Sequence, residues 1–347
     1  MTSNRILLQG VPGSPYTRKM LALLRYRRIA YELLPTAGAV PGLPQAKPPL
    51  LPTFYLPDAN GQLAAVTDST PLIRRFEQSH TDRSVIPLTP AWAFIDALLE
   101  DFADEWLTKA MFHYRWHFAP DIDKAGRVLA TWREPEADPV RFAATAQMIA
   151  TRQIERLRYV GSNPQTAHII EAGYLRVLAC MEEHLRHHRF MMGARPGASD
   201  FAVYGQLTQL VQFDPTPMAL ADRLAPRVCG WVGVVEDLSG IAVTPEDWLG
   251  GLSLPDSLKA LLCEVGRLYA PLLVANAQAL QQGQKEFTTT IDGLAWTQQV
   301  FSYQAKCWMW LRRDHDALAS DQRAVVDEWL QGTGCEVLFT PPKSSPA

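Results

Sequence analysis

Two stretches of this chain place reactive residue types at the start of a helix. In "QGVPGSPYTRKM" a Gly-Ser-Pro-Tyr turn runs straight into an apolar helical pattern, with Ser14 at the cap and Pro15 at the first helical position. Arg18 and Lys19 follow in the first turns, where the positive end of the helix dipole disfavours cations, so a negative partner is expected there. In "TDSTPLIRRFEQ" Asp68 precedes Ser69 and Thr70, both candidate caps, with Pro71 in the first turn. His113 and His117, and His184, His187 and His188, have helical spacings compatible with metal. Neither set has a third ligand type beside it, so helix faces or packing are expected and no metal site. The five cysteines include no C-x-x-C pair and read as reduced and structural. No G-x-S-x-G elbow, phosphate-binding loop, H-E-x-x-H or dinucleotide fingerprint occurs.

The elements that must position these residues are legible from periodicity. Residues 5–10 fit a buried strand, Tyr16, Met20, Leu23 and Leu24 line one helical face, and "AYELLP" returns as a strand, giving a β-α-β unit. A Pro-rich loop, "AVPGLPQAKPP", leads to "LPTFYLPDANGQLAAV", two strands joined by a turn at Asp58 to Gly61, and then to the helix after Asp68. That order is thioredoxin-like. From Pro90 the pattern is helical: Ile95, Leu98, Phe102, Trp106 and Ala110 trace a stripe that runs to about Phe118, and further helices follow. Beyond residue 250, Leu258 to Leu273 make another stripe, "KEFTTTIDGLAWTQQ" reads as a hairpin turning at Asp292-Gly293, and a last helix is expected near 303–331. The expected units are therefore a thioredoxin-like α/β domain at 1–83, an all-α domain at 88–245, and a helical and hairpin extension at 250–343.

Composition narrows the partners. With 47% hydrophobic and 20% charged residues over 347 positions, the chain is globular and has apolar mass for two domains or more. A net charge of −3 with scattered Lys and Arg gives no bias toward nucleic acid. No window approaches the roughly 18 apolar residues of a membrane span, and "MTSNRILLQGVPGSP" lacks the apolar run of a signal peptide, so a cytoplasmic protein without a membrane partner is expected.

Taken together, residues 5–240 resemble the glutathione transferase superfamily. "SPYTRK" resembles the start of the first helix in serine- and cysteine-type members, "LPTF" the segment carrying their cis-proline, and "TDSTPLIRRFE" their acidic-Ser γ-glutamyl motif. "GARPGASDFAVYGQL" is similar to the capping-box helix of their all-α domain, with one departure: Gly197 stands where Ser or Thr is usual. The reciprocal cap is then incomplete, at an expected loss of a few tenths of a kcal/mol. The extension lies outside the common pattern and suggests a longer subgroup.

The resemblance implies a role for each motif. Glutathione would be cosubstrate, with Ser14 holding its thiolate by a hydroxyl hydrogen bond and the helix dipole; lowering the thiol pKa by two units takes about 2.7 kcal/mol. The thiolate would then be the negative partner expected at that helix end. Serine cannot form a mixed disulfide, and neither Val11 nor Gly13 supplies a thiol, which disfavours thiol-exchange chemistry. Leu51, before a cis Pro52, would offer backbone groups to the cysteinyl part, Asp68 would pair with the γ-glutamyl ammonium, Ser69 would take its carboxylate, and Lys47 would reach the glycyl carboxylate. Tyr16 and a subset of Trp106, Phe112 and Tyr114 would form the wall for a small apolar electrophile, about half of that helix's aromatic residues packing in the core instead. A homodimer is implied. Two rivals stay open: a non-catalytic scaffold of the same fold, with the extension filling the electrophile site, and a glutathione-dependent lyase or dehalogenase.

Overall fold

The apolar run after Arg5 forms strand β1 (Ile6–Gln9), and helix α1 (Pro15–Tyr26) carries the chain to β2 (Tyr31–Leu34), parallel to β1. Strands β3 (Thr53–Pro57) and β4 (Leu63–Val66) add an antiparallel hairpin on the other edge, giving the order β2-β1-β3-β4, and α2 (Ser69–Ser79) follows. The hairpin turn is built by Asp58, whose Oδ1 accepts from the N–H groups of Asn60 and Gln62, and by Gly61 at φ +76°. The register sets Leu8 between Leu33 and Phe54, and both Leu8 and Phe54 are fully buried. This is the expected thioredoxin-like layer. The computed structural model of the protein describes residues 5–34, 41–132 and 134–340; the start of the Pro-rich loop and the end of the expected 250–343 unit lie outside them.

The helical region begins with α3 (Pro90–Phe102) and α4 (Thr108–His117), one rod joined through a π-helical turn at Ala103–Leu107. It continues through α5 (Ala119–Thr131), α6 (Pro139–Ile154), α7 (Ala167–His184), α8 (Ala198–Leu210), α9 (Pro215–Leu224) and α10 (Pro226–Val235). Helix α8 is buried along its whole length and crosses α1 at Gly205, where a Cβ would come within 2.5 Å of the Pro15 carbonyl oxygen.

The departure at Gly197 has a different meaning from the one expected. Asp96 on α3 accepts from the N–H groups of Ala198 and Ser199, both at 3.1 Å, and from the Ser199 hydroxyl at 2.6 Å. Asp200 completes the other half by accepting from the Gly197 N–H at 2.8 Å. The cap is thus supplied from another helix, and a Cβ at 197 would lie 2.3 Å from Asp96 Oδ1, so the missing hydroxyl makes room for a carboxylate.

The extension holds α11 (Asp256–Glu264) and α12 (Ala270–Gln281), joined by a second π-helical turn at Val265–Tyr269, then the hairpin β5 (Glu286–Ile291) and β6 (Leu294–Gln299). The expected last helix is two helices, α13 (Ser302–Asp316) and α14 (Ser320–Leu330). The apolar period runs across the break. The Ala317 N–H closes on the Arg313 carbonyl, Ala319 turns extended, and Asp321 favours a new N-terminus. The extension covers the first long helix through aromatic pairs: Trp329 on Trp92 at 4.3 Å between ring centroids, Trp296 on Trp106 at 5.5 Å and Tyr269 on Phe102 at 6.0 Å.

Candidate functional site

Ser14 caps α1 with its own side chain, accepting from the Thr17 N–H at 3.2 Å, and its hydroxyl donates to the Leu51 carbonyl over a long 3.4 Å. The Leu51–Pro52 peptide is cis, as is Lys47–Pro48. The cations that made this helix start unusual are matched by protein carboxylates. Buried Lys19 donates to Asp104 at 2.6 Å, to Glu100 at 2.8 Å and to the Ser69 hydroxyl at 3.1 Å, while Arg18 pairs with Glu236. Burial opposes the charge on Lys19, yet Asp104 and Glu100 outweigh it and hold its pKa above the ordinary value. The expected negative partner is therefore built into the chain, and these cations require no bound thiolate.

The start of α2 is organised differently. Asp68 sits at φ +81° and ψ 109°, outside the left-handed well that Asp tolerates, and its side chain makes no cap to the helix. Its Oδ2 accepts instead from the hydroxyl of Tyr303, on α13, at 2.9 Å. Burial pushes the Asp68 carboxyl up, and Tyr303, Lys19 and Lys306 oppose the shift. Thr70 donates to Glu100 at 3.0 Å, so the first turn of α2 shares one buried network with α1 and α3.

These groups meet at a cavity of about 650 Å³ lined by Tyr16, Leu51, Pro52, Asp68 and Ser69 on one side. The rod of α3 and α4 contributes Asp104, Glu105, Thr108 and Lys109, and the extension contributes residues 301–304. The π-helical turn carries Asp104 and Glu105, and such turns are frequent at functional sites in general. Burial pushes Asp104 up to about 6, with Lys19 opposing and Glu100 adding to the rise. Glu105 rises to about 8 through burial and Asp101, and Lys109 falls to about 8 through burial, with Glu105 opposing. Burial and the two neighbouring carboxylates, Glu105 and Asp104, raise Tyr16 well above its ordinary value.

Ser14 does not line this cavity; it adjoins it through Leu51, which also lines a smaller cleft of about 190 Å³ on its other side. That cleft is walled by Val11, Leu51, Leu129, Trp132 and Ile149, with Arg152 and Gln153 completing its lining, and a Cβ at Gly13 would come within 2.5 Å of both Leu129 and Trp132. Lys47 is exposed and lines neither space.

The aromatic wall expected from α3 and α4 is not where it was placed. Trp106 is fully buried against Trp296, Tyr114 is buried against Tyr174 and Phe118, and half-buried Phe112 leans on Trp116. Of the four candidates for that wall, only Tyr16 lines the large cavity. The reason is helical geometry: the rod turns Asp104, Glu105, Thr108 and Lys109 to the cavity, which sends its aromatic stripe to the core. The one signal in the sequence that could have marked them is the i, i+4 acid-to-lysine spacing of Glu105 and Lys109. Tyr303 and Gln304 had no local signal, and the cleft residues Leu129 and Trp132 fall in a stretch of the expected all-α unit that carries no motif. His113 bonds to Ser162 and donates to Glu171, and His184 donates to the Phe190 carbonyl; burial pushes both down to about 4. Among the described residues no three His, Cys, Asp or Glu side chains gather to hold a metal ion, and no helix is long and apolar enough to cross a membrane.

Residues 8–84 match the family described as Glutathione S-transferase, N-terminal domain. No curated protein matches the chain. Similar solved structures include a glutathione S-transferase from Methylobacterium radiotolerans in complex with glutathione sulfonate, 19% identical, covering 69% of this chain and 98% of that one, with a TM-score of 0.38. Another is a Burkholderia graminis glutathione transferase with two glutathione molecules bound per subunit, 14% identical, covering 67% and 83%, with a TM-score of 0.40. A third is a GST-like protein from Pseudomonas syringae, 16% identical, covering 73% and 78%, with a TM-score of 0.42.

Proposed function

We propose that this protein binds glutathione in the larger cavity and activates its thiol at Ser14 for attack on a small apolar electrophile held in the adjoining cleft. The observation that carries the reading is the position of Ser14: a hydroxyl at a helix N-terminus, bonded to the carbonyl of Leu51, the residue that lines both the larger cavity and the smaller cleft. Its 3.4 Å bond to Leu51 is weak enough for the hydrogen to turn to a sulfur. A volume of about 650 Å³ lies within the common range for ligand sites, roughly 300–1,000 Å³. The cleft, at about 190 Å³, lies below it, so the electrophile is small or only partly enclosed. Asp68 and the N–H groups of α2 suit the γ-glutamyl end, and the match of residues 8–84 to the family supports the same assignment.

We take the protein to act in the cytoplasm and to be a homodimer; light scattering on purified protein tests the dimer. Calorimetric titration with glutathione, followed by turnover with a panel of small electrophiles, tests the main reading. Binding and turnover are expected, and absence of binding would discard it. One observation favours a second reading, a non-catalytic scaffold: Tyr303 of the extension already occupies Asp68. Binding without turnover on any electrophile would select it.

A further inference from the structure

We propose that the C-terminal extension is a working wall of this site: Gln304 and Asp104 receive a primary ammonium group of the ligand beside Asp68, and Tyr303 positions Asp68 for it. The ammonium's identity rests on the glutathione reading, in which it belongs to the γ-glutamyl residue. Asp104 is 7% exposed; its Oδ2 accepts from Lys19, while its Oδ1 has no partner among the described residues. Gln304, 200 positions later in the chain, is 2% exposed, and its Oε1 has no partner either. Both residues line the same cavity, and both unpaired atoms are acceptors. Buried acceptors are ordinarily satisfied, so a site that keeps two of them open is shaped for a donor.

Charge selects the kind of donor. Asp68 and Asp104 line the cavity against a single cation, Lys109, whose ammonium is already committed to the Gln298 side chain at 3.0 Å and the Val160 carbonyl at 3.3 Å. A ligand carboxylate placed there would meet like charge, and an apolar group would leave the acceptors unpaired. A primary ammonium carries three donors, which matches Asp104 Oδ1, Gln304 Oε1 and the Asp68 carboxylate. Tyr303 fixes Asp68 by donating to Oδ2, so the other oxygen faces the ligand in a set orientation.

The test is calorimetric titration of the full chain with glutathione and with glutaryl-cysteinyl-glycine, which differs by lacking the ammonium. The wild type should bind the analogue at least about thirtyfold more weakly. Gln304→Leu and Asp104→Asn should each weaken glutathione about tenfold and leave the analogue unchanged, while Tyr303→Phe should shrink the ratio by about threefold. Should Asp104→Asn fail to fold through loss of its Lys19 pair, Gln304→Leu alone carries the comparison. Equal binding of the two peptides by the wild type, or equal weakening of both by Gln304→Leu, would overturn the proposal and leave the glutathione reading standing. If glutathione does not bind, butylammonium is titrated against butanol. Binding of butylammonium alone, weakened by Gln304→Leu, would support the ammonium wall without glutathione, and binding of neither would overturn it.

Discussion

Ser14 caps α1 with its own side chain on ordinary extended backbone, φ −95° and ψ 116°, whereas Asp68 holds φ +81° at the start of α2 and caps nothing. The first helix end is self-sufficient; the second is held by a tyrosine 235 positions away. Helix α8 resembles the second plan, since Asp96 of another helix closes it. The difference teaches where function can be varied: a locally satisfied cap is available to turn its hydroxyl toward a ligand, while a remotely held carboxylate makes the far element part of the site.

The comparison is broken most strongly at Ser14. Ser14→Ala should cut turnover at pH 7 by roughly ten- to a thousandfold, because each pKa unit of the bound thiol is about 1.4 kcal/mol. Lost capping should lower stability by about 1 kcal/mol as well. Steady-state rates with an active electrophile, measured beside urea unfolding, separate the two roles, and a stability loss with intact turnover would reduce Ser14 to a cap.

Asp96→Ala tests the remotely held plan where no ligand is involved. It strips two N–H groups and the Ser199 hydroxyl of their acceptor, and urea unfolding should report a loss of about 2–3 kcal/mol. At Asp68 the two quantities should part. Asp68→Gly is expected to weaken glutathione binding by at least about 1.5 kcal/mol, while unfolding free energy does not fall, because relief of the positive φ offsets the lost Tyr303 bond. A matched fall in both would show that Asp68 serves folding.

The smallest effect is a pH dependence shared by the cavity and the α8 cap. Burial raises Asp104 to about 6, Asp96 and Asp101 to about 7 and Glu105 to about 8. The folded state therefore holds these protons more tightly than the unfolded chain, and the stabilisation is present at low pH and lost as pH rises through those values. Melting temperature should decline from about pH 5 to pH 8, and Glu105→Gln should flatten the upper part of the curve. A profile that rises over this window would contradict the burial assigned to the cluster.

Legibility divided along the same line. The turn at Asp58 to Gly61, the Asp292-Gly293 hairpin, the Pro15 helix start and the apolar face of α1 rest on local chemistry, so the residues announce them. The Tyr303 hydroxyl on Asp68 and the Asp96 cap on Ser199 join residues 235 and 103 positions apart, with no periodic signal at either end. The π-helical turn at Ala103–Leu107 was hidden because the apolar stripe passes through it, and the break at Ala317 was hidden because the period survives it. Trp106 was assigned to the site because an aromatic on a helix looks the same in sequence whether it faces a cavity or, as here, Trp296.

Thiolate absorbance of bound glutathione, followed against pH in wild type and Ser14→Ala, tests the central claim most directly. The wild-type curve should have its midpoint well below the usual thiol value of about 8.5, and the Ser14→Ala curve should move back up by one to about three units. Two superimposable curves would exclude Ser14 as the activating group.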